Sequence, residues 1–260
     1  MRIGVMGAME EEVALLRSDL RRATAETVGG RTYHTGTLYG RDVALVFSGW
    51  GKVAAASTVT TLLERYQAGL VLFSGVAGAA APELRIGDVV IGSELIQHDL
   101  DARPLFKQFE VPLLGLSRFR TEPGLLQQLL DAASRFASRE LASDVSAETL
   151  RAFAIAAPRV TAGLIASGDQ FVSDPQRLAA IRAALPGLQC VEMEGAAVAQ
   201  VCHGSQVPLG VIRVISDRAD HSARIDFSRF IAAVASHYSR GIIRSLWQAP
   251  AMPDMPAMAS

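Results

Sequence analysis

Cysteine is scarce in this chain: Cys190 and Cys202 stand twelve residues apart among 260, with no CxxC pair and no clustered histidines. That spacing matches no zinc or redox motif, so the expectation is two free buried thiols in a reducing compartment and no metal. Charge of one sign is lacking too. Twenty-five basic against 26 acidic residues leave a net charge of −1, which gives no electrostatic case for nucleic acid or an anionic membrane as partner. No apolar run reaches the roughly 18 residues that span a bilayer. The opening MRIGVMGAM is too short in its apolar part for a signal peptide and lacks a cleavage pattern. A soluble, cytoplasmic protein is therefore expected. Neither GxGxxG nor GxxxxGK[ST] occurs, which argues against a dinucleotide or ATP site, and no cofactor is expected. Aromatic residues make up only 6% of the chain, yet 50% is hydrophobic, enough for a large aliphatic core.

What is present is a recurring alternation. Apolar runs end at glycine or a polar residue and give way to helical patterns. Arg2–Met6 leads into Gly7-Ala8-Met9 and the acidic turn Glu10–Glu12, after which Val13, Leu15 and Leu16 begin an apolar face. Arg31–Leu38 and Asp42–Phe47 read as a hairpin around Tyr39-Gly40-Arg41. Further strands are expected at Leu70–Phe73, Asp88–Ile96, Ala162–Ser167 and Leu209–Ile215. Helices are expected at Lys52–Tyr66, Pro123–Ala137, Pro175–Leu185, Met193–His203 and Phe227–Trp247. Ser74–Gly78 reads as a glycine-rich loop, Leu100–Leu116 as irregular, and Ser143–Arg151 as a short extra helix. This alternation implies an α/β fold with a mixed, largely parallel sheet flanked by helices. One domain over 1–248 is the economical reading. The tail 249–260, with prolines at 250, 253 and 256, is expected to be disordered.

In open α/β sheets ligands collect beyond the carboxyl ends of the strands. The segments to inspect are Gly7–Glu12, Ser74–Gly78, Ser167–Phe171, Cys190–Glu194 and Ser216–Asp220, and only the second carries no carboxylate. Glu192 and Glu194 flank Met193 where an apolar run meets an Ala/Val-rich helix. Acids there suit the first turn, whose free N–H groups carry partial positive charge; alternatively one of them grips a substrate. Arg213 interrupts the apolar run VPLGVIRVISD, where an unpaired guanidinium would be costly. It requires a carboxylate, a carbonyl or a ligand. Asp217 follows Ser216 where that run should stop. It is either a turn residue or a partly desolvated acid whose pKa rises above about 3.9, fit to donate a proton.

Seven ordered stretches carry a more specific signal: IGVMGAMEEEV, SGWGKVAAA, GVAGAA, IGDVV, IASGDQF, VEMEGAAVAQVC and RVISDRAD. Together they resemble the bacterial 5′-methylthioadenosine/S-adenosylhomocysteine nucleosidases of the nucleoside phosphorylase/nucleosidase superfamily. The resemblance runs from Met1 to about Leu246 and is thin only over Arg118–Arg159. It implies a single-domain, three-layer α/β/α sandwich around a central mixed sheet, a nucleoside substrate and a homodimer. The implied reaction is hydrolysis of the bond between adenine and a 5′-thio-substituted ribose, also in 5′-deoxyadenosine, within methionine salvage. By the same resemblance Glu12 activates water, while Asp217, oriented by Ser216, protonates adenine N7. Glu194 binds the ribose hydroxyls, Met193 and Met9 lie at the sugar, and Phe171 stacks on adenine beside the backbone of Val172. Arg213 sits near the water and the acids, and Phe227 lines the 5′-alkylthio pocket. Glu192 is left as a helix-start residue whose amidation should be mild. The chemistry suits these types, since one acid must protonate the leaving base while another takes a proton from water.

Two features depart from shorter relatives: Trp50 replaces a small aliphatic residue and Val76 a serine. Leu105, Phe106 and Phe109 are candidates for a loop that lids the partner's pocket. Rival readings are a phosphate-dependent purine nucleoside phosphorylase, a futalosine or aminofutalosine hydrolase on the same scaffold, and a non-catalytic nucleoside-binding protein. Phe73 stands before Ser74-Gly75 where phosphorylases tend to carry an arginine. An acid on each side of the glycosidic bond, Glu12 and Asp217, exceeds what binding alone requires.

Overall fold

Arg2–Gly7 (β1) is buried from Ile3 onward without alternation, the mark of a strand covered on both faces. In the computed structural model, which describes residues 1–220 and 223–248, it sits near the middle of a ten-stranded mixed sheet. After it come α1 (Glu10–Asp19) and an antiparallel meander of β2 (Arg21–Val28), β3 (Arg31–Leu38) and β4 (Arg41–Phe47). α2 (Lys52–Glu64) leads to β5 (Ala68–Ala79), β6 (Val89–Gln97) and the two-residue β7 (Phe119–Arg120). α3 (Pro123–Arg135), α4 (Leu141–Asp144) and α5 (Ala147–Ala152) precede β8 (Val160–Ser167) and α6 (Pro175–Ala184). The chain closes with β9 (Leu188–Glu192), α7 (Gly195–Gly204), β10 (Leu209–Asp217), α8 (Ala223–Phe230) and α9 (Ser236–Gln248).

The strand order is β10-β6-β8-β9-β5-β1-β4-β3-β2, and β10 also pairs with β5. That extra pairing closes β5, β10, β6, β8 and β9 into a ring. β5 makes the closure possible because it is twelve residues long. It pairs in parallel with β1 and β10, and then turns its last residues, Gly78 and Ala79, against β9 in antiparallel register. Bulges in β6, β9 and β10 add the curvature. Two helical layers cover the sheet. α1, α3 and α9 bury one apolar cluster around Leu16, Leu129 and Ile242, and α2 and α7 bury another around Leu62 and Val198.

The alternation is thus borne out as a mixed α/β fold, with several local differences. Ser74–Gly78 is strand rather than loop. The hairpin gains a third strand, β2, which is exposed along nearly its whole length; a polar edge strand leaves no apolar period to read. α7 begins at Gly195 rather than Met193, since Glu194 occupies the cap position. The last helix begins at Ala223 and widens into a π-turn over Ile231–Ala235. A second π-turn, Phe136–Glu140, follows α3; the Phe136 ring lies over Gly241, where a Cβ would be 2.0 Å away. Residues 100–116 are irregular as expected, with a single bridge from Val111 to Leu116. The expected disordered tail, 249–260, lies outside the described residues. Among the described residues no helix is long and apolar enough to cross a membrane.

Candidate active site

β1, β5, β9 and β10 end around one cavity. It is lined by Ala8, Met9, Glu12, Trp50, Val76, Ala77, Gly78, Gln170, Phe171, Val172, Val191, Glu192, Met193, Glu194, Ser216, Asp217 and Phe227. All the expected site residues are here except Arg213. Among these lining residues four are carboxylic acids and none is Lys, Arg or His.

Glu12 is the third residue of α1 and caps its own helix. Its Oε2 accepts the N–H of Ala8 at 2.6 Å and of Met9 at 3.0 Å, and its Oε1 accepts that of Val76 at 3.0 Å. Burial raises its pKa above the ordinary value, against the pull of Arg213 and those three donors. Asp217, the last residue of β10, is 3% exposed. Its Oδ2 accepts the Ser216 hydroxyl at 2.8 Å and its Oδ1 the Ala219 N–H at 2.8 Å. Burial nevertheless pushes its pKa up to about 6, with Asp226 and Asp220 adding to the shift. A proton is then within its reach near neutrality.

Two glycines of β5 make room for these acids. A Cβ on Gly75 would lie 2.7 Å from Oε1 of Glu12, and one on Gly78 would lie 3.0 Å from Oδ1 of Asp217. Their service here is close approach, which is why the stretch reads as a loop and folds as a strand.

Glu192 and Glu194 divide their work. Glu192, at the end of β9, accepts the Ser167 hydroxyl and the N–H groups of Glu194 and Gly195. It is also the ion partner of Arg213, with Nη2 to Oε2 at 2.7 Å and both side chains almost wholly buried. The remaining guanidinium donors go to the carbonyls of Phe73 and Ile212, and the group lies 4.2 Å above the Phe73 ring. Arg213 therefore does not line the cavity but pairs with Glu192 behind its wall and reaches Glu12 and Glu194 through its charge; the sequence reading placed it near the water and the acids without singling out Glu192. Among the described residues the Glu194 carboxylate accepts a single hydrogen bond, from the Gly51 N–H to its Oε1 at 2.8 Å. Burial first, and the neighbouring Glu192 second, push its pKa up to about 8. With Arg213 matched to Glu192, Glu194 is the acid left to hold a proton when the cavity is empty of other charge.

Aromatic side chains close the opposite end. Phe227 meets Trp50 at 5.8 Å and Phe171 at 5.5 Å between ring centroids, both edge to face. Trp50 is 53% and Phe171 39% exposed, so flat apolar surface faces the opening. Sequence reasoning gave no role to Gln170 or Ser167, both inside the quoted IASGDQF stretch; for Gln170 its place directly before Phe171 was the available signal, while the bond from Ser167 to Glu192 had none. It also undervalued Glu192, whose partners come from β8, β10 and α7. Among the described residues no three side chains gather as a metal site.

A mixed sheet closed at one side, with acids and an aromatic face at the strand ends, makes this an α/β protein with a ligand cavity at its strand ends. The sequence profile of the phosphorylase superfamily matches residues 2–247, and the chain belongs to that family. More narrowly, the chain is 40% identical over 240 residues to the 5′-methylthioadenosine/S-adenosylhomocysteine nucleosidase of Anoxybacillus flavithermus, covering 92% of this chain and 95% of that protein. Among solved structures, the nucleosidase of that name from Neisseria meningitidis, in complex with methylthio-immucillin-A, superposes with a TM-score of 0.83. It is 33% identical and covers 94% of this chain and 97% of its own. The Streptococcus pneumoniae enzyme with a transition-state inhibitor gives 0.83 at 34% identity, covering 96% and 99%.

Proposed function

We propose that this protein hydrolyses the N-glycosidic bond of 5′-methylthioadenosine and S-adenosylhomocysteine, releasing adenine and the 5′-thio-substituted ribose. One observation carries the reading: the described cavity wall bears four acids, two of them held by backbone donors and a serine for opposite proton transfers, and no cation. Asp217 gives its proton to adenine N7 as the C1′–N9 bond breaks and N9 keeps the electron pair. Glu12 takes a proton from the water whose oxygen bonds to C1′. Glu194 accepts from the ribose hydroxyls and, ionised, offsets cationic character at the sugar. Met193 and Met9 pack on the sugar, Phe171 stacks on the base next to the backbone of Val172, and Phe227 with Trp50 receives the 5′-thio group. Each proton transfer of this kind contributes typically about 10²–10⁴ in rate.

Phosphate as the attacking group is disfavoured. A dianion in this corner would meet Glu12 and Glu194 with Arg213 already committed to Glu192. The test is adenine release from both nucleosides in phosphate-free buffer. Turnover unchanged on adding phosphate, with the free 5′-thio-substituted ribose as product, is expected; its 1-phosphate as product would overturn the reading. The same reading makes the protein a cytoplasmic homodimer in which residues 105–112 lid the partner's cavity. Leu105 is 84% exposed, and Leu113 nearby 94%. Sedimentation at micromolar concentration checks this, and a fully active monomer would refute it.

A further inference from the structure

The one hydrogen bond to the Glu194 carboxylate among the described residues comes from behind the cavity wall. Gly51, which donates it, does not line the cavity. It is the N-cap of α2 with φ of 90°, so its amide points wherever the turn around it is held. The next residue holds that turn. Lys52 donates its N–H to Oδ1 of Asp169 at 2.8 Å, and its ammonium to Oδ1 of Asp99 at 2.6 Å and Oε1 of Gln97 at 3.1 Å. Oδ2 of Asp99 in turn accepts the Asp169 N–H at 2.9 Å. Gln97 donates onward to Gln200 of α7 at 2.7 Å. One ammonium thus ties together the start of α2, the end of β6, the loop after β8 and, through Gln97, the helix that Glu194 caps. The Lys52 and Asp99 side chains are only 16% and 19% exposed, so water and salt screen the pair less than a surface bridge. The His98 ring closes the back of the loop, since a Cβ on Gly168 would lie 2.3 Å from it.

We propose that Lys52 is a positioning residue for Glu194: anchored by Asp99 and Asp169, it fixes the Gly51 amide that aims the Glu194 carboxylate into the cavity. Holding one oxygen on Gly51 leaves the other to accept from the substrate. Without that donor, the carboxylate faces the negative charge of Glu192 and Glu12 and the positive charge of Arg213 with no neutral hydrogen bond to set its angle. The inference rests on the reading that Glu194 grips the ribose hydroxyls.

The experiment measures kcat and KM for adenine release by Lys52→Met, Asp99→Asn, Glu194→Gln and the pair Lys52→Met/Glu194→Gln. A misplacement on the order of 1 Å costs up to about 10²-fold, so Lys52→Met and Asp99→Asn should each lose roughly 10- to 100-fold in kcat/KM. In the Glu194→Gln background, Lys52→Met should lose little more, because the group it positions is already disabled. Should Lys52→Met fail to unfold cooperatively, Lys52→Met/Asp99→Asn removes both charges and carries the same comparison. An equal loss in both backgrounds, or wild-type kcat/KM in Lys52→Met, would overturn the inference while leaving the function intact. Wild-type turnover by Glu194→Gln would instead overturn the role of Glu194, and the inference with it.

Discussion

Asp217 and Glu192 show how much a single carboxyl depends on its neighbours. Among the described residues Asp217 has one serine donor, one backbone donor and no paired cation, so burial wins and its proton stays within reach near pH 6. Asp217→Asn preserves volume and one acceptor for the Ala219 N–H but cannot give up a proton to the base. Its turnover should fall by about 10²–10⁴, with the far-UV spectrum unchanged; a loss under tenfold would remove Asp217 from the acid role. Glu192 has the opposite environment. It faces Arg213 in a nearly waterless pair, and breaking a buried pair from one side costs about 3–5 kcal/mol. Glu192→Gln should therefore be severe rather than mild, and chiefly in stability, read as a lower urea midpoint. Glu194→Gln should do the reverse, slowing catalysis while the urea midpoint stays level or rises.

Elements carry the next set of consequences. β5 runs past both acids, and its glycines are the only residues small enough to pass them. Gly75→Ala puts a methyl 2.7 Å from the Glu12 carboxylate, and the strand, paired with β10 at this residue and with β1 up to Phe73, resists retreat. Glu12 should be pushed off its backbone donors, with a loss of roughly 10²-fold in kcat and no shift in sheet content by circular dichroism. An alanine variant with normal kcat would show that Glu12 does not need its present position. α1 is similarly committed: its first turn, Glu10-Glu11-Glu12, has acids next to free N–H groups, as the helix dipole favours. Only Glu12 turns inward and is buried; Glu10 reaches outward to Arg17 at 2.7 Å.

Across the whole molecule, the site destabilises the fold that holds it. Glu194 and Asp217 bind protons more tightly when folded than their ordinary values of 4.5 and 3.8 would allow. At these two groups the folded chain carries more protons than the unfolded one between roughly pH 4 and 8, so they draw stability down as pH rises through that window, while His34, His98 and His237, whose pKa values burial lowers, act the other way. The acids' contribution should appear as a change in thermal midpoint from pH 5 to pH 8.5 that is more negative in the native protein than in Asp217→Asn. Asp217→Asn should change the slope, gaining about 3 kcal/mol over the native protein at pH 8 from a shift of about two units. That corresponds to a rise on the order of 5–10 °C for a chain of this size. A midpoint for Asp217→Asn equal to that of the native protein at pH 8 would mean that Asp217 is ionised in the fold at no cost. The opposite pattern, low stability with high activity, is what a buried acid site produces.

The alternation of apolar runs and helical patterns determined the class of fold, because burial on both strand faces writes itself as continuous runs such as GVIRVIS. The ordered motifs likewise determined which residues meet at the cavity, since Glu12, Phe171, Met193, Glu194, Ser216 and Asp217 all lie within them. Local pattern could not see β2, whose exposed residues follow no apolar period, nor the closure of β5 onto β10 and β9, which pairs residues more than a hundred positions apart. It could not say which acid Arg213 would choose. Glu12, Glu192 and Glu194 are all plausible partners by type, and only the register of β9 beside β8, with β5 between β9 and β10, brings Glu192 to the guanidinium. Partner choice and pKa depend on distance and burial across the sheet, and those are properties of the tertiary structure alone.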